Sequence, residues 1–481
     1  MNSMIVLKTL GMLLLCEAAT MLPSVIVAAI NGEHAVFAFL GSMAIAAAIG
    51  LALFSLRVKD KIIRYKEGFA IVTFGWLMVS IIGALPFLFT GALPSFVDAF
   101  FETVSGFTTT GATVINNVEV LPRSLLFWRS FTHWLGGMGI LVLALALAPA
   151  LGVGTFQILK SESPGPISIK LTPRVNNTAK ILYITYTVIT LAEVLLLVLG
   201  GMPLFDSLVH TFGTLGTGGF SIRNASIGAY NNVYFEVIIT IFMVASGVNF
   251  SLYYIAFKNK SAREFLRDPE FKTYLYIIAA AIIMITLNLK GKVFDGLLES
   301  LRHASFQVAS IITTTGFATT NYDSWPDFSR AVLFVLMFIG ACAGSTGGSV
   351  KVIRIHLLFK YMKREVNRLI HPRSVTAVKI GDFPVQEEVL SGVMAFTMFY
   401  MVIFIAASLL LAVQGHDLVS SASAVAATLG NVGPGFGMVG PATTYSSLSD
   451  FSKLLLSFCM ILGRLEIYTV IALLSPRFWK R

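Results

Sequence analysis

Four short stretches of the chain concentrate glycine and threonine: Thr108-Thr109-Thr110-Gly111-Ala112-Thr113, Gly216-Thr217-Gly218-Gly219-Phe220-Ser221, Thr313-Thr314-Thr315-Gly316-Phe317-Ala318 and Gly430-Asn431-Val432-Gly433-Pro434-Gly435. Aligned on Gly111, Gly219, Gly316 and Gly433, each carries a small residue (Ala99, Ser207, Ala304 or Ser421) twelve positions earlier. The chemistry open to such residues is ligation by the main chain. Glycine reaches backbone angles that residues with side chains resist, so carbonyl oxygens can be aimed at one axis, where they replace the water around a monovalent cation. The positions expected to supply them are Thr109, Thr110 and Gly111; Thr217, Gly218 and Gly219; Thr314, Thr315 and Gly316; and Asn431, Val432 and Gly433. The fourth set departs most from a Thr-x-Gly pattern. A rival reading is that Gly and Thr only let membrane helices pack closely. It explains one loop as well as ligation does, but not four at similar spacing.

The elements that must hold these loops are membrane helices. Of 481 residues, 56% are hydrophobic and only 12% charged, which places the chain in a bilayer. A helix crosses the hydrocarbon in about 20 residues. An initial pair of such runs, about 5–30 and 35–54, stands apart in residues 1–60. One pattern then occurs four times, at 61–165, 166–265, 266–375 and 376–481: a full span, a half-length helix, one of the loops, and a second full span. First spans are expected at 67–89, 178–199, 272–289 and 388–413, and second spans at 128–150, 233–257, 331–358 and 453–474. The half-length helices, about 97–105, 206–214, 302–312 and 418–428, are too short to cross. About ten residues reach roughly 15 Å, so each enters partway and returns through its loop. Non-helical backbone at that depth is tolerated only where protein buries it or water reaches it. The expected fold is therefore an all-α polytopic membrane protein of about ten crossings, with four pseudo-repeated units around a pore.

The formal charge of +10 lies mostly in short runs between apolar segments: 57–66, 160–180, 258–272, 351–373 and 477–481. That distribution sets membrane orientation, with the runs and both termini cytoplasmic, and does not suggest nucleic-acid binding. Cys16, Cys342 and Cys459 sit alone in apolar stretches, which suggests neither disulfide nor metal site. A lipoprotein signal ending at Cys16 fits poorly, because the apolar run continues to Ile30. No nucleophile with a base, metal-ligand cluster or phosphate-binding strand–turn–helix can be assembled, so the chain is not read as an enzyme.

The last span of the third unit contains Gly340-Ala341-Cys342-Ala343-Gly344-Ser345-Thr346-Gly347-Gly348-Ser349, too rich in Gly and Ser to stay helical. A phosphate loop is excluded because Lys351 does not follow a glycine and no strand precedes the motif. Arg464 is a charge inside an apolar span, where it faces water or a partner. An ion pair with Glu466 is the alternative. Glu17, Glu193, His133 and Asn249 are read as helix-packing groups, and Lys351 and Arg354 as cations snorkelling at the cytoplasmic end of the broken span.

The loops resemble the four filters of the Trk/Ktr/HKT superfamily of potassium transporters. Thr313 to Phe317, followed by Asn321-Tyr322-Asp323-Ser324-Trp325-Pro326, is similar to the bacterial TrkH type, as is the additional N-terminal pair. The resemblance implies potassium as the transported substrate, since Ser at the first aligned position is associated in that superfamily with sodium. It further implies that Gly340 to Gly348, including Gly344, Ser345, Thr346 and Gly347, form an intramembrane gate. Arg464 is then expected to line the pore beside this gate and to hold it closed. A homodimer in the lipid of a bacterial inner membrane and a cytoplasmic TrkA-type nucleotide-binding ring also follow, with no organic cofactor on this chain. A symporter coupling potassium to protons or sodium through Glu17 and Glu193 is the alternative.

Overall fold

The computed structural model describes residues 1–58, 63–139, 175–373, 376–381, 383–465 and 467–479. Its architecture is helical, apart from a two-stranded antiparallel hairpin, β1 (Lys379–Ile380) and β2 (Phe383–Pro384). The chain begins with α1 (Ser3–Thr20), α2 (Leu22–Ile30) and α3 (Ala35–Phe54). α1 and α3 pack closely because both present glycine: a Cβ on Gly11 meets Leu53 at 2.7 Å and the Gly50 carbonyl at 2.8 Å.

Next come α4 (Tyr65–Phe89), α5 (Phe96–Phe107) and α6 (Arg123–Gly137), followed by α7 (Val175–Leu199), α8 (Leu204–Gly216), α9 (Val233–Ser246) and α10 (Phe250–Lys258). After the short α11 (Arg263–Arg267) stand α12 (Pro269–Leu289), α13 (Leu297–Ile312), α14 (Asp327–Ile339) and α15 (Val352–Ile370). The chain continues with α16 (Glu387–Val413), α17 (Leu418–Leu429), α18 (Asp450–Arg464), α19 (Ile467–Leu474) and α20 (Pro476–Trp479). The short helices α5 and α17 begin on side-chain caps: Ser95 accepts from the Asp98 N–H at 3.4 Å, and Asp417 from the Ser420 N–H at 3.0 Å. Such caps satisfy backbone donors that a helix start leaves open.

Among the described residues, six helices are long and apolar enough to cross a membrane, or seven if one bent pair counts as a single span. This is fewer than the ten crossings expected, because three of the second helices are not continuous and much of the other lies outside the described residues. The expected span 233–257 is two helices, α9 and α10, bent by 89° at Gly247 to Asn249. The span 453–474 breaks after Arg464, and 331–358 is interrupted from Gly340 to Lys351. For 128–150, α6 ends at Gly137, while positions 140–150 and the basic stretch 160–174 lie outside the described residues. Long first helices against broken second helices set the stage for the loops.

Candidate functional site

The four half-length helices α5, α8, α13 and α17 end in one way. Two residues before each aligned glycine the backbone is left-handed: Thr109 (φ 55°), Thr217 (φ 56°), Thr314 (φ 59°) and Asn431 (φ 54°). The next N–H bonds five residues back in every case: Thr110 to Ser105, Gly218 to Gly213, Thr315 to Ser310 and Val432 to Ala427, at 2.7 to 2.9 Å. The left-handed residue itself donates three back, to Gly106, Thr214, Ile311 and Thr428. This is the Schellman closure, which satisfies the last carbonyls of a helix and usually employs glycine at the left-handed position. Here three threonines and an asparagine occupy it, a feature the sequence reading did not anticipate.

The aligned glycines also have positive φ: 80° at Gly111, 75° at Gly219, 83° at Gly316 and 98° at Gly433. Each abuts a carbonyl of the following loop. A Cβ on Gly111 runs into the Gly218 oxygen, on Gly219 into Thr315, on Gly316 into Val432, and on Gly433 into Thr110. The sequence of contacts returns to its start, so the four loops form a closed ring. Gly111, Gly219, Gly316 and Gly433 together line one cavity of about 140 Å³. The fourth loop, whose Asn431 and Val432 differ in type, has the same backbone as the others.

Behind the ring, side chains lock loop to loop. Glu102 of α5 accepts from the Val114 N–H at 2.9 Å, from the Thr113 hydroxyl at 3.0 Å and from Arg129 Nε of α6 at 2.5 Å. Arg129 in turn donates to the Ser221 carbonyl at 3.0 Å and lies 3.5 Å over the Phe220 ring. Both charges are buried, and the pair fastens the first loop to the second. His133 does the same by another route: its Nε2 accepts from the Phe220 N–H at 3.2 Å, so Nδ1 carries the proton it donates to the Gly106 carbonyl at 2.7 Å. Packing was the role expected of His133; the structure puts it directly behind two loops.

Facing the left-handed residues is the segment between α14 and α15. Gly340 and Gly344 have φ of 70° and 73°, and Ser349 and Lys351 of 59° and 73°. The Gly348 N–H donates to Thr314 Oγ1 at 2.8 Å. Arg464 spans the gap to the first unit: it donates to the Thr346 carbonyl at 2.6 Å, to the Gly136 and Gly137 carbonyls, the latter at 2.7 Å, and to Thr109 Oγ1 at 3.3 Å. Asn431 Nδ2 donates to Thr110 Oγ1 at 3.0 Å and to the Met460 carbonyl at 2.9 Å. Side chains at three of the four left-handed positions thus tie the ring to the segment or to its surroundings. Ser345 caps locally, onto the Cys342 carbonyl at 2.6 Å, and the Thr346 hydroxyl reaches the Ser246 carbonyl at 3.2 Å. Gly347 sits where a Cβ meets the Thr313 carbonyl at 3.0 Å.

Lys351 corrects the sequence reading. It is 1% exposed, and its ammonium donates to the Gly347 carbonyl instead of snorkelling to water. Arg354 is likewise buried, 3.8 Å over the Phe396 ring. Glu466, the alternative partner of Arg464, lies outside the described residues. Glu17 and Glu193 are fully buried and stand outside the ring. Asn249 caps α10, accepting from the Ser251 N–H at 2.9 Å.

Residues 34–481 match the family described as TrkH, cation transport protein. The chain is 40% identical over 477 residues to the Trk system potassium uptake protein TrkH of Salmonella typhimurium, covering 98% of both. It is 39% identical to the protein of the same name from Halomonas elongata, covering 100% of each. The crystal structure of the potassium transporter TrkH from Vibrio parahaemolyticus is similar over 100% of both chains, with a TM-score of 0.90 and 37% identity.

Proposed function

This chain belongs to the TrkH family of cation transport proteins, and on that premise we propose that it takes up potassium through a pore at the centre of the four-loop ring. One observation carries the reading: each glycine leans on a carbonyl of the next loop until the series closes, a geometry that suits rings of oxygen ligands around one axis. Such rings exchange an ion's water for carbonyl oxygens. The C-terminal ends of α5, α8, α13 and α17 add partial negative charge beside the ion. Thr109 to Gly111, Thr217 to Gly219, Thr314 to Gly316 and Asn431 to Gly433 are the proposed filter. The four units, with the N-terminal pair outside them, are the proposed frame.

Residues Gly340 to Gly348 are the proposed gate, and Arg464 its clamp. The donations from Arg464 to the carbonyls of Thr346 and of the first unit support that role, as does the added positive charge in a cation's path. A homodimer in a bacterial inner membrane, both termini cytoplasmic, under a nucleotide-binding ring of regulatory subunits, completes the proposal. Reversal potentials of the purified protein in bilayers test it: they should follow the potassium gradient and change little with sodium. A potential that ignores the potassium gradient contradicts it.

A second reading, proton- or sodium-coupled symport, draws on Glu17, whose carboxyl oxygens find no hydrogen-bond donor among the described residues, and on the buried Glu193. Such intramembrane carboxylates serve as relays elsewhere. A reversal potential that shifts with the proton gradient selects this reading, and one indifferent to pH selects the channel.

A further inference from the structure

Glu270, in the first turn of α12, is 8% exposed and lies outside the ring and the clamp described above. One of its oxygens, Oε1, accepts two backbone N–H groups: Ala343 at 2.7 Å and Ile353 at 3.0 Å. Ala343 lies in the first half of the intramembrane segment, and Ile353 lies just beyond its end. Ile353 is the second residue of α15, so its N–H is one of the donors that a helix start leaves open. No side chain of α15's own N-cap serves this start. A carboxylate there is favoured by the helix dipole as well. The same oxygen therefore caps a cytoplasmic helix and pins the near end of the segment that precedes it.

The surroundings make this a junction. Beside the two pinned residues, the Val352 N–H donates to the Ala341 carbonyl at 3.0 Å, closing the base of the excursion. Two backbone bonds join the segment to the break between α9 and α10: Cys342 N–H to Gly247 and Phe250 N–H to Gly344, each 3.0 Å. α10 leads through α11 to Asp268, which caps α12 by accepting from the Phe271 N–H at 2.7 Å, two residues from Glu270. A displacement of the connection α10–α11, or of α15, thus acts on the segment through the Glu270 carboxylate.

We propose that Glu270 is a positioning residue that holds the base of the segment closed and couples it to the cytoplasmic helix α15. The inference rests on the gate assigned above to Gly340 to Gly348. Arg464 restrains the gate at Thr346 from the fourth unit, whereas Glu270, from the third, restrains its first half at Ala343 and the start of the helix that follows it. The two restraints are separate, and the one at the base is continuous with α15.

Single-channel recording of the full-length protein in planar bilayers tests this. E270A should raise the open fraction in the absence of any partner by about tenfold or more, as expected from losing buried hydrogen bonds to a charged group. The potassium-to-sodium reversal potential should not move, because the ring is untouched. E270Q, which keeps an acceptor oxygen at the same reach, should stay within about threefold of the parent protein. E270D, one methylene too short to serve both donors, carries the same expectation as E270A and is read if E270A is not recovered folded. A deletion of residues 344–347 is the control for the gate itself. If the deletion raises the open fraction and E270A or E270D leaves it unchanged, Glu270 does not position the gate. If neither changes it, the gate assignment falls and the inference with it.

Discussion

Left-handed backbone at Thr109, Thr217, Thr314 and Asn431 is costly for residues with a Cβ, by about 1 to 2 kcal/mol each. Glycine at these sites would remove that cost, and at three of the four the side chain explains why another residue is present. Thr314 Oγ1 accepts the Gly348 N–H, Thr109 Oγ1 accepts from Arg464, and Asn431 reaches across to Thr110. Thr314→Gly should therefore leave thermal stability equal or slightly raised, by up to about 1 kcal/mol, while increasing potassium flux into liposomes. A melt paired with a flux assay checks both signs, and a drop in stability without extra flux contradicts the account. The aligned glycines behave oppositely. At Gly316 a Cβ strikes the Val432 carbonyl, so Gly316→Ser should displace a proposed ligand of the neighbouring loop. Sodium permeability relative to potassium is expected to rise, read from bi-ionic reversal potentials. The glycines could be found from sequence because glycine advertises positive φ. The threonines could be placed in the loops but not their left-handed backbone, since that conformation follows from the helix closure and from partners far along the chain.

Among elements, the full-length first helices were plain in the hydropathy, and the half-length helices in their shortness. The second helices were harder. Only the Gly340 to Gly348 interruption declares itself by composition; the bend at Gly247 rests on a single glycine and the capping Asn249, and the stop after Arg464 on nothing local. Lys351 departs from its sequence expectation for a related reason. Read as part of a continuous helix it belongs at the cytoplasmic end, but the break folds it back beneath Gly347. The Glu102–Arg129 pair shows how the elements are then fixed, since it bonds α5 to α6 and reaches the second loop. Glu102→Ala leaves a buried guanidinium without its carboxylate, a change that costs about 3 to 5 kcal/mol. Expected outcomes are a markedly lower melting temperature and loss of potassium-over-sodium preference. The double variant Glu102→Leu with Arg129→Met removes both charges and should recover much of the stability but not the preference, because the Ser221 carbonyl remains without its donor. Comparing the melts of the single and double variants decides it.

The ring joins these observations into one body. Its contacts have a direction, first loop to second, second to third, third to fourth and fourth to first, each through a glycine against a carbonyl. A change in one glycine is therefore delivered first to a single neighbour, not to the loop across the axis. Free-energy effects of contacting sites fail to add, by about 0.5 to 3 kcal/mol, whereas those of separate sites add within about 0.3 to 0.5 kcal/mol. Double-variant cycles in potassium-over-sodium selectivity expose this order. Gly316→Ser combined with Gly433→Ser, adjacent in the ring, should depart from additivity by more than about 0.5 kcal/mol. Gly111→Ser combined with Gly316→Ser, which sit opposite, should come closer to the sum. The displaced Val432 carbonyl lies next to the residue altered by the second change in the first pair and not in the second. Equal coupling in both pairs, measured from the same bi-ionic potentials, would mean that the loops respond as one soft assembly and that the directional packing does not control the site.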